Sequence, residues 1–138
     1  MAAHEVFVDT SSLYSLLDRS EAFHAATARI VARLARMGTK LIVSDYIITE
    51  TINLANARGG HFVAARVLDL IEQSNGIRLE WIGMTRFDRT KIFFRKHYDH
   101  GYSFTDCTSF VLMAELQIAQ ALTLDRHFIE AGFRVMPE

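Results

Sequence analysis

Short apolar runs alternate along this chain with longer stretches of helical period, and that alternation leaves few folds open to it. His4 to Val8, Lys40 to Val43, Ile77 to Ile82, Ala121 to Leu124 and Phe133 to Met136 read as strands. Between them, Ser11 to Leu17, Ala22 to Met37, Phe62 to Gln73, Ser103 to about Gln117 and Arg126 to Ala131 read as helices. Two further helices are expected, one carrying Ile48, Ile52 and Ala55, and a basic one between Thr85 and the closing Asp99-His100-Gly101. Strands separated by helices imply βαβ crossovers. The expectation is an α/β fold with a central, mainly parallel sheet of four to five strands and helices on both faces. The one proline, Pro137, lies at the terminus, and no repeat or low-complexity linker divides the chain, so residues 1–138 are expected to form a single domain.

Local signals refine this outline. Phe23, Ala26, Ile30, Leu34 and Met37 form an apolar stripe opposite Arg29, Arg33 and Arg36, and Gly38 ends that helix. Ser44 or Asp45 can cap the next helix, and Arg58-Gly59-Gly60 breaks it from the following one, whose stripe runs through Phe62, Ala65, Leu68 and Ile71. Thr85 can cap the basic helix. Ser103 and Asp106 have the spacing of a capping box, with Phe110, Met113 and Ala114 turned inward.

Half the residues are hydrophobic and 22% are charged, which fits a compact fold. No apolar run approaches the roughly 18 residues needed to cross a bilayer, and the start lacks the basic and apolar segments of a signal peptide, so a cytoplasmic protein without membrane contact is expected. A single cysteine, Cys107, excludes an internal disulfide and a cysteine-based zinc cage. It is expected to pack rather than react, since a thiolate beside Asp106 is electrostatically disfavoured. With a net charge of −1, the molecule is not a general polycation, and any nucleic acid must be met by a local patch. Arg86, Arg89, Lys91, Arg95 and Lys96 offer one, interleaved with Phe93, Phe94, Tyr98 and Tyr102, a mixture suited to phosphates and unstacked bases. The same segment also reads as a solvated helix face with Phe87, Phe94 and Tyr98 as its core stripe.

Four acids carry the chemistry: Asp9 in FVDTSSL, Glu50 in SDYIITETIN, Asp106 in SFTDCTSF and Asp125 in LTLDRHF. Each has an ordinary alternative. Asp9 and Asp125 could cap helices, Glu50 could face solvent, and Asp106 could complement a helix dipole. Jointly, two acids at strand ends, one in a helix's first turn and one on a helix directly after a strand can point into one crevice. Gathered like charges destabilise a fold unless a cation compensates them, and carboxylate oxygens favour magnesium or manganese. The six histidines show no HxxxH or HxH spacing that would favour zinc.

These segments resemble the PIN-domain nucleases, and within them the VapC-type toxin ribonucleases. The likeness covers essentially the whole chain and rests on VDTS at Asp9, the TE at Glu50, SFTDCTSFVLM at Asp106 and LTLDRHFIEAGF at Asp125, separated by 41, 56 and 19 residues. It implies a PIN fold and one or two Mg2+ or Mn2+ ions held by Asp9, Glu50, Asp106 and Asp125. It also implies Thr10 and Thr105 as hydroxyls that orient water, and hydrolysis of structured RNA at a single-stranded loop to 5′ phosphate and 3′ hydroxyl ends. Implied partners are the RNA, a VapB-type antitoxin whose C-terminal segment blocks the groove, and a second copy of the chain, docked through helix Ala22 to Met37 or Phe62 to Gln73. His127 and Asn53 have no counterpart in the motif.

Other classes gather acids at strand ends too. A haloacid-dehalogenase phosphatase needs a second Asp where Ser11 stands, and a response-regulator receiver needs paired acids where only Asp9 is found. A housekeeping RNA-processing nuclease and a noncatalytic RNA- or protein-binding module of the same fold stay open.

Overall fold

The computed structural model describes residues 4–137. Strand β1 (Glu5–Val8) is buried at three successive positions, and β2 (Lys40–Ser44) at four. Successive burial means that both faces of the sheet are covered here, as parallel sheets require. With β3 (Ile77–Glu80), β4 (Gln120–Leu122) and β5 (Arg134–Met136), they form a five-stranded sheet in the order β3-β2-β1-β4-β5. Every pairing is parallel, setting Val6 opposite Leu41, Phe7 opposite Ala121, Leu41 opposite Ile77 and Ala121 opposite Val135.

Helices α1 (Thr10–Leu17), α2 (His24–Arg36), α3 (Asp45–Gly59), α4 (His61–Gln73), α5 (Gly83–Lys96), α6 (Phe104–Leu116) and α7 (His127–Glu130) join the strands. α1 packs on α2 and α3, α3 on α4, and α5 on α6. Phe7, Ile42, Val43, Ile47, Leu112, Met113, Leu122 and Phe128 have no exposed surface and form the main core. Each such side chain contributes roughly 1.5–3 kcal/mol by leaving water. Tyr14, Ala55, Ala64 and Val67 make a smaller cluster that binds α1, α3 and α4 together.

Several local expectations need correction. On α2 the most deeply buried residues are Thr27 and Leu34, whereas Phe23 and Met37 are exposed. On α4 they are Ala64 and Val67, one position off the expected stripe, which leaves Phe62 and Leu68 in solvent. α5 starts at Gly83, so Thr85 lies inside its first turn and caps nothing. Its buried contact is Thr90, with Phe93 against the core, while Phe87, Phe94 and Tyr98 stay exposed. Ala114 is exposed too. Gly38 does end α2, at φ +74°, where Thr39 N–H donates back to Leu34 O.

Strand order places the site. From β1 the chain moves outward through β2 and β3, then returns to the other side of β1 for β4 and β5. Winding reverses between β1 and β4, and ligands of open parallel sheets bind beyond the carboxyl ends of the strands at such a reversal. Asp9 follows β1 directly, and Asp125 follows β4 after Thr123 and Leu124.

Candidate active site

Asp9 occupies the N-cap position of α1, yet its side chain makes no capping hydrogen bond. Its Oδ2 accepts instead from Thr123 Oγ1 at 2.9 Å and Ser11 Oγ at 3.2 Å. Thr123 Oγ1 also accepts from Asp125 N–H, and Ser11 Oγ from Leu124 N–H, so this hydroxyl pair ties the β1 turn to the β4 turn. Burial pushes the Asp9 carboxyl up from 3.8 to about 6. Hydrogen bonds from Thr123 and from the Thr10 backbone oppose the rise, and the charges of Asp106 and Asp125 add to it.

The capping box at the start of α6 forms as its spacing requires: Asp106 N–H donates to Ser103 Oγ at 2.9 Å and Ser103 N–H to Asp106 Oδ2 at 3.1 Å. Asp125 Oδ1 accepts from His127 N–H at 2.9 Å, a two-residue turn that carries the chain into α7. Neither local role isolates these acids. Asp106, Asp125 and His127 each offer a ligand atom within 4.8 Å of the others. His127 Nδ1 lies 3.3 Å from Asp106 Oδ2 and 3.5 Å from Asp125 Oδ1. Burial pulls the His127 imidazolium down, but the Asp106 hydrogen bond and the charges of Asp125, Asp106 and Glu130 outweigh it, and its pKa lies above the ordinary histidine value. Sequence reasoning left His127 out. The signal available was its position two residues after Asp125 in a turn that brings the ring alongside.

Glu50 stands apart from this cluster, exposed on α3. It lines a groove of about 330 Å³ with Asp45, Tyr46, Thr49, Asn53 and Thr105, so it shares a wall with the neighbour of Asp106. Asp45 is an acid of another kind, its Oδ1 accepting from Ile82 N–H at 2.8 Å to fasten the β3–α5 link. Thr10 is buried beside Asp9 with its hydroxyl unpartnered. Cys107 is fully buried, and burial together with the Asp106 charge pushes its thiol up to about 11, which removes it as a nucleophile at neutral pH.

The carboxylate oxygens of Asp106 and Asp125, with Asp9 and its neighbouring unpartnered Thr10 hydroxyl, suit a hard divalent ion, and His127 is the one borderline donor among them. Among the described residues, no lysine or arginine pairs with Asp9, Asp106, Asp125 or Glu50, so no fixed cation of the chain already fills the place of one.

Charge on α5 is handled differently. Arg86 Nε lies 3.2 Å and Arg89 Nη1 2.6 Å from the Glu115 carboxylate of α6, Arg86 also reaches Glu80 at 3.4 Å and Trp81 O at 2.8 Å, and Lys91 meets Asp88 at 3.0 Å. Of the five basic candidates, Arg95 and Lys96, in the last turn, have no carboxylate partner among the described residues.

Residues 6–134 match the PIN domain family. Relatives from two Mycobacterium tuberculosis strains, CDC 1551 / Oshkosh and ATCC 25618 / H37Rv, are each named 23S rRNA-specific endonuclease VapC20. Both are 31% identical over 134 residues, spanning 96% of this chain and 99% of the relative. The crystal structure of M. tuberculosis VapC20, described as a sarcin-ricin loop cleaving toxin, superposes with a TM-score of 0.84 at 30% identity, over 93% of this chain and 95% of that one. No helix among the described residues is long and apolar enough to cross a membrane. Since the match runs from β1 to β5 and the homologous toxin endonuclease has the same architecture, this chain belongs to the PIN-domain family.

Proposed function

We propose that this chain is a divalent-metal-dependent endoribonuclease, the toxin of a VapBC-type pair, that cuts a structured RNA at a single-stranded loop. The observation that carries the reading is the close approach of Asp106, Asp125 and His127, beside a buried Asp9, with no lysine or arginine of the described chain to offset them. One imidazole offsets only part of the charge that these carboxylates gather, so the cluster favours a cationic ligand over a purely structural role.

Asp9, Asp106 and Asp125 would hold Mg2+ or Mn2+, with Glu50 joining directly or through water. When bound, such an ion lowers the pKa of water and offsets negative charge on the phosphodiester. Glu50, open to solvent on its groove, takes the proton of the attacking water. Thr10 and Thr105 orient that water with their hydroxyls. The water oxygen joins phosphorus in line, the bond to the 3′ oxygen breaks, that oxygen takes a proton from solvent, and the products carry 5′ phosphate and 3′ hydroxyl ends. Ser11 and Thr123 hold Asp9 in place. The relatives' designation as 23S rRNA endonucleases makes the ribosomal sarcin-ricin loop the first substrate to try. Arg95 and Lys96 supply phosphate contacts outside the acidic crevice, where metal-free carboxylates would repel RNA. The exposed Phe62 and Leu68 on α4, and Phe23 and Met37 flanking α2, offer surface for a homodimer. A VapB-type antitoxin would cover the groove from outside.

The test is to express the wild type and Asp9→Asn separately and sequence the 5′ ends of cellular RNA. Growth arrest with new 5′ phosphate ends in the wild type alone is expected. Identical end profiles from the two proteins would remove the nuclease reading, and new ends without growth arrest would favour RNA processing over toxicity.

A further inference from the structure

The turn between α5 and α6 encloses a cavity of about 340 Å³ lined by Phe94, Arg95, His97, Tyr98, Gly101 and Tyr102. That volume lies at the lower end of the roughly 300–1,000 Å³ usual for small-ligand pockets, room for one flat ring system rather than a folded segment. Tyr98 is 85% exposed and Phe94 42%, so the cavity presents aromatic faces to solvent. Its frame is fixed. The His97 ring stacks on Phe93 at 4.0 Å with Nδ1 2.9 Å from Phe93 O, which leaves Nε2 as its free polar atom. Tyr102 is buried edge-to-face against Phe110 at 5.0 Å. Gly101, at φ +74°, takes a conformation that side chains disfavour and lets the chain reverse here.

Two contacts link this cavity to the acids. Tyr102 meets the His127 ring edge-on at 5.2 Å, and His127 Nδ1 lies 3.3 Å from Asp106 Oδ2. Arg95, on the cavity wall, is one of the cations left without a carboxylate partner among the described residues. The exposed rings of Phe94 and Tyr98 share one cavity with an arginine that has no carboxylate partner among the described residues, and the buried wall residue Tyr102 reaches the acids through His127. Together these match the parts of a nucleotide, a base to stack and a phosphate to pair. An apolar peptide side chain would use the rings and leave the cation unanswered.

We propose that this cavity holds one unstacked base of the RNA substrate, with an adjoining phosphate on Arg95, and thereby selects which phosphodiester reaches the acids. The inference rests on the reading of the chain as a ribonuclease. Its test uses a fluorescent RNA hairpin carrying the sarcin-ricin loop, and a series with a single abasic site at each loop position in turn. Binding is measured by anisotropy with Ca2+ in place of Mn2+, so that the acids are not left metal-free, and cleavage in Mn2+, for the wild type, Tyr98→Ala, Phe94→Ala and the control Trp81→Ala, whose side chain is also exposed but lies just before the start of α5.

Tyr98→Ala and Phe94→Ala are expected to bind roughly tenfold more weakly, and Trp81→Ala like the wild type. One abasic position should weaken the wild type by a similar factor and Tyr98→Ala no further. Unchanged melting temperature of Tyr98→Ala, whose ring is almost wholly in solvent, verifies that the fold is intact. Equal affinity of Tyr98→Ala, Phe94→Ala and the wild type overturns the proposal and leaves the cavity to a protein partner. Abasic penalties of the same size in Tyr98→Ala as in the wild type, or no RNA binding by the wild type, also overturn it. A wild type that binds with the expected pattern and cuts nothing removes the nuclease reading and with it the selection of a phosphodiester, leaving base binding, whereas normal cleavage with indifferent Tyr98 and Phe94 variants removes the base pocket alone.

Discussion

In the crevice at the β1–β4 reversal, carboxylates are held by hydroxyls, backbone N–H groups and one imidazole, while no lysine or arginine of the described chain answers them. On α5, by contrast, Arg86, Arg89 and Lys91 already have carboxylate partners. A surface charge cancelled by its neighbour carries little free energy and little information about partners. A buried charge left uncancelled is costly, and its persistence points outside the chain. Counting charges by sequence weighs the two regions alike, whereas their pairing separates them.

The sharpest way to break this contrast is to neutralise an acid of the crevice. Mutating outer-shell partners of a metal site lowers activity about 10–100-fold, so Asp106→Asn, at the cluster itself, should lower the rate of RNA cleavage by about 10³-fold or more. Residual activity within tenfold of the wild type, in a single-turnover assay with Mn2+, would sink the assignment. Next in size comes the ion itself. A ligand at 100 times its Kd stabilises the state it binds by about 2.7 kcal/mol, and for a chain of this length that raises Tm by about 10 °C. Scanning calorimetry should find such a rise on adding Mn2+ to the wild type and none in Asp106→Asn. Equal shifts in both would show that the ion binds elsewhere.

The two regions also differ in how far they could be read from the sequence. Asp9 and Asp125 were legible because each closes an apolar run, and strand ends are where a parallel sheet gathers ligands. Ser103 and Asp106 were legible because a capping box needs only a spacing of three along one helix. His127 was not, since its contact with Asp106 spans 21 residues and depends on how α7 meets α6. The pairing of Arg89 with Glu115 spans 26 residues and was equally hidden, so the sequence left α5 open between a phosphate-binding patch and a solvated helix face. The stripe of α2 holds at Ile30 and Leu34 and is lost only at Phe23 and Met37, which sit at the caps, whereas that of α4 is one position off because docking against α3 selects the face bearing Ala64 and Val67.

A smaller effect separates the buried carboxylate from the exposed ones by pH. Unfolded, Asp9 loses its proton near 3.8, whereas in the metal-free fold it keeps it to about 6. Its contribution to stability is therefore complete below about 3.8 and lost as pH rises through about 6. Between pH 5 and 7.5 the loss from this one group is about 1.4 kcal/mol. His127, with its raised pKa, titrates in the same direction. Urea denaturation in EDTA should show the wild type losing at least that much stability over this interval, and Asp9→Asn losing correspondingly less. Parallel pH profiles for the two proteins would mean that the Asp9 carboxylate is not held in the buried, charge-crowded setting described.

On α5 the expected effects are smallest, and they sharpen the contrast within a single helix. Arg95→Glu together with Lys96→Glu should weaken RNA binding and lower the slope of log affinity against log salt by about 1.4, near 0.7 for each single-strand phosphate that the protein no longer neutralises. Arg89→Gln should leave that slope unchanged, because the Arg89 guanidinium is engaged by Glu115 at 2.6 Å. Its effect should fall on the fold instead. Arg89 is mostly exposed, and such pairs contribute under about 1 kcal/mol. Burial works against the Glu115 carboxylate, but the hydrogen bonds from Arg89 and Arg86 outweigh it and hold its pKa below the ordinary glutamate value. The stabilisation from Glu115 is therefore present above the ordinary glutamate pKa and lost as pH falls through the lowered folded value, and Arg89→Gln should reduce that acid-side loss. If Arg89→Gln instead lowers the salt slope as much as Arg95→Glu does, the ion pair opens to receive RNA, and α5 carries a continuous phosphate-binding face after all.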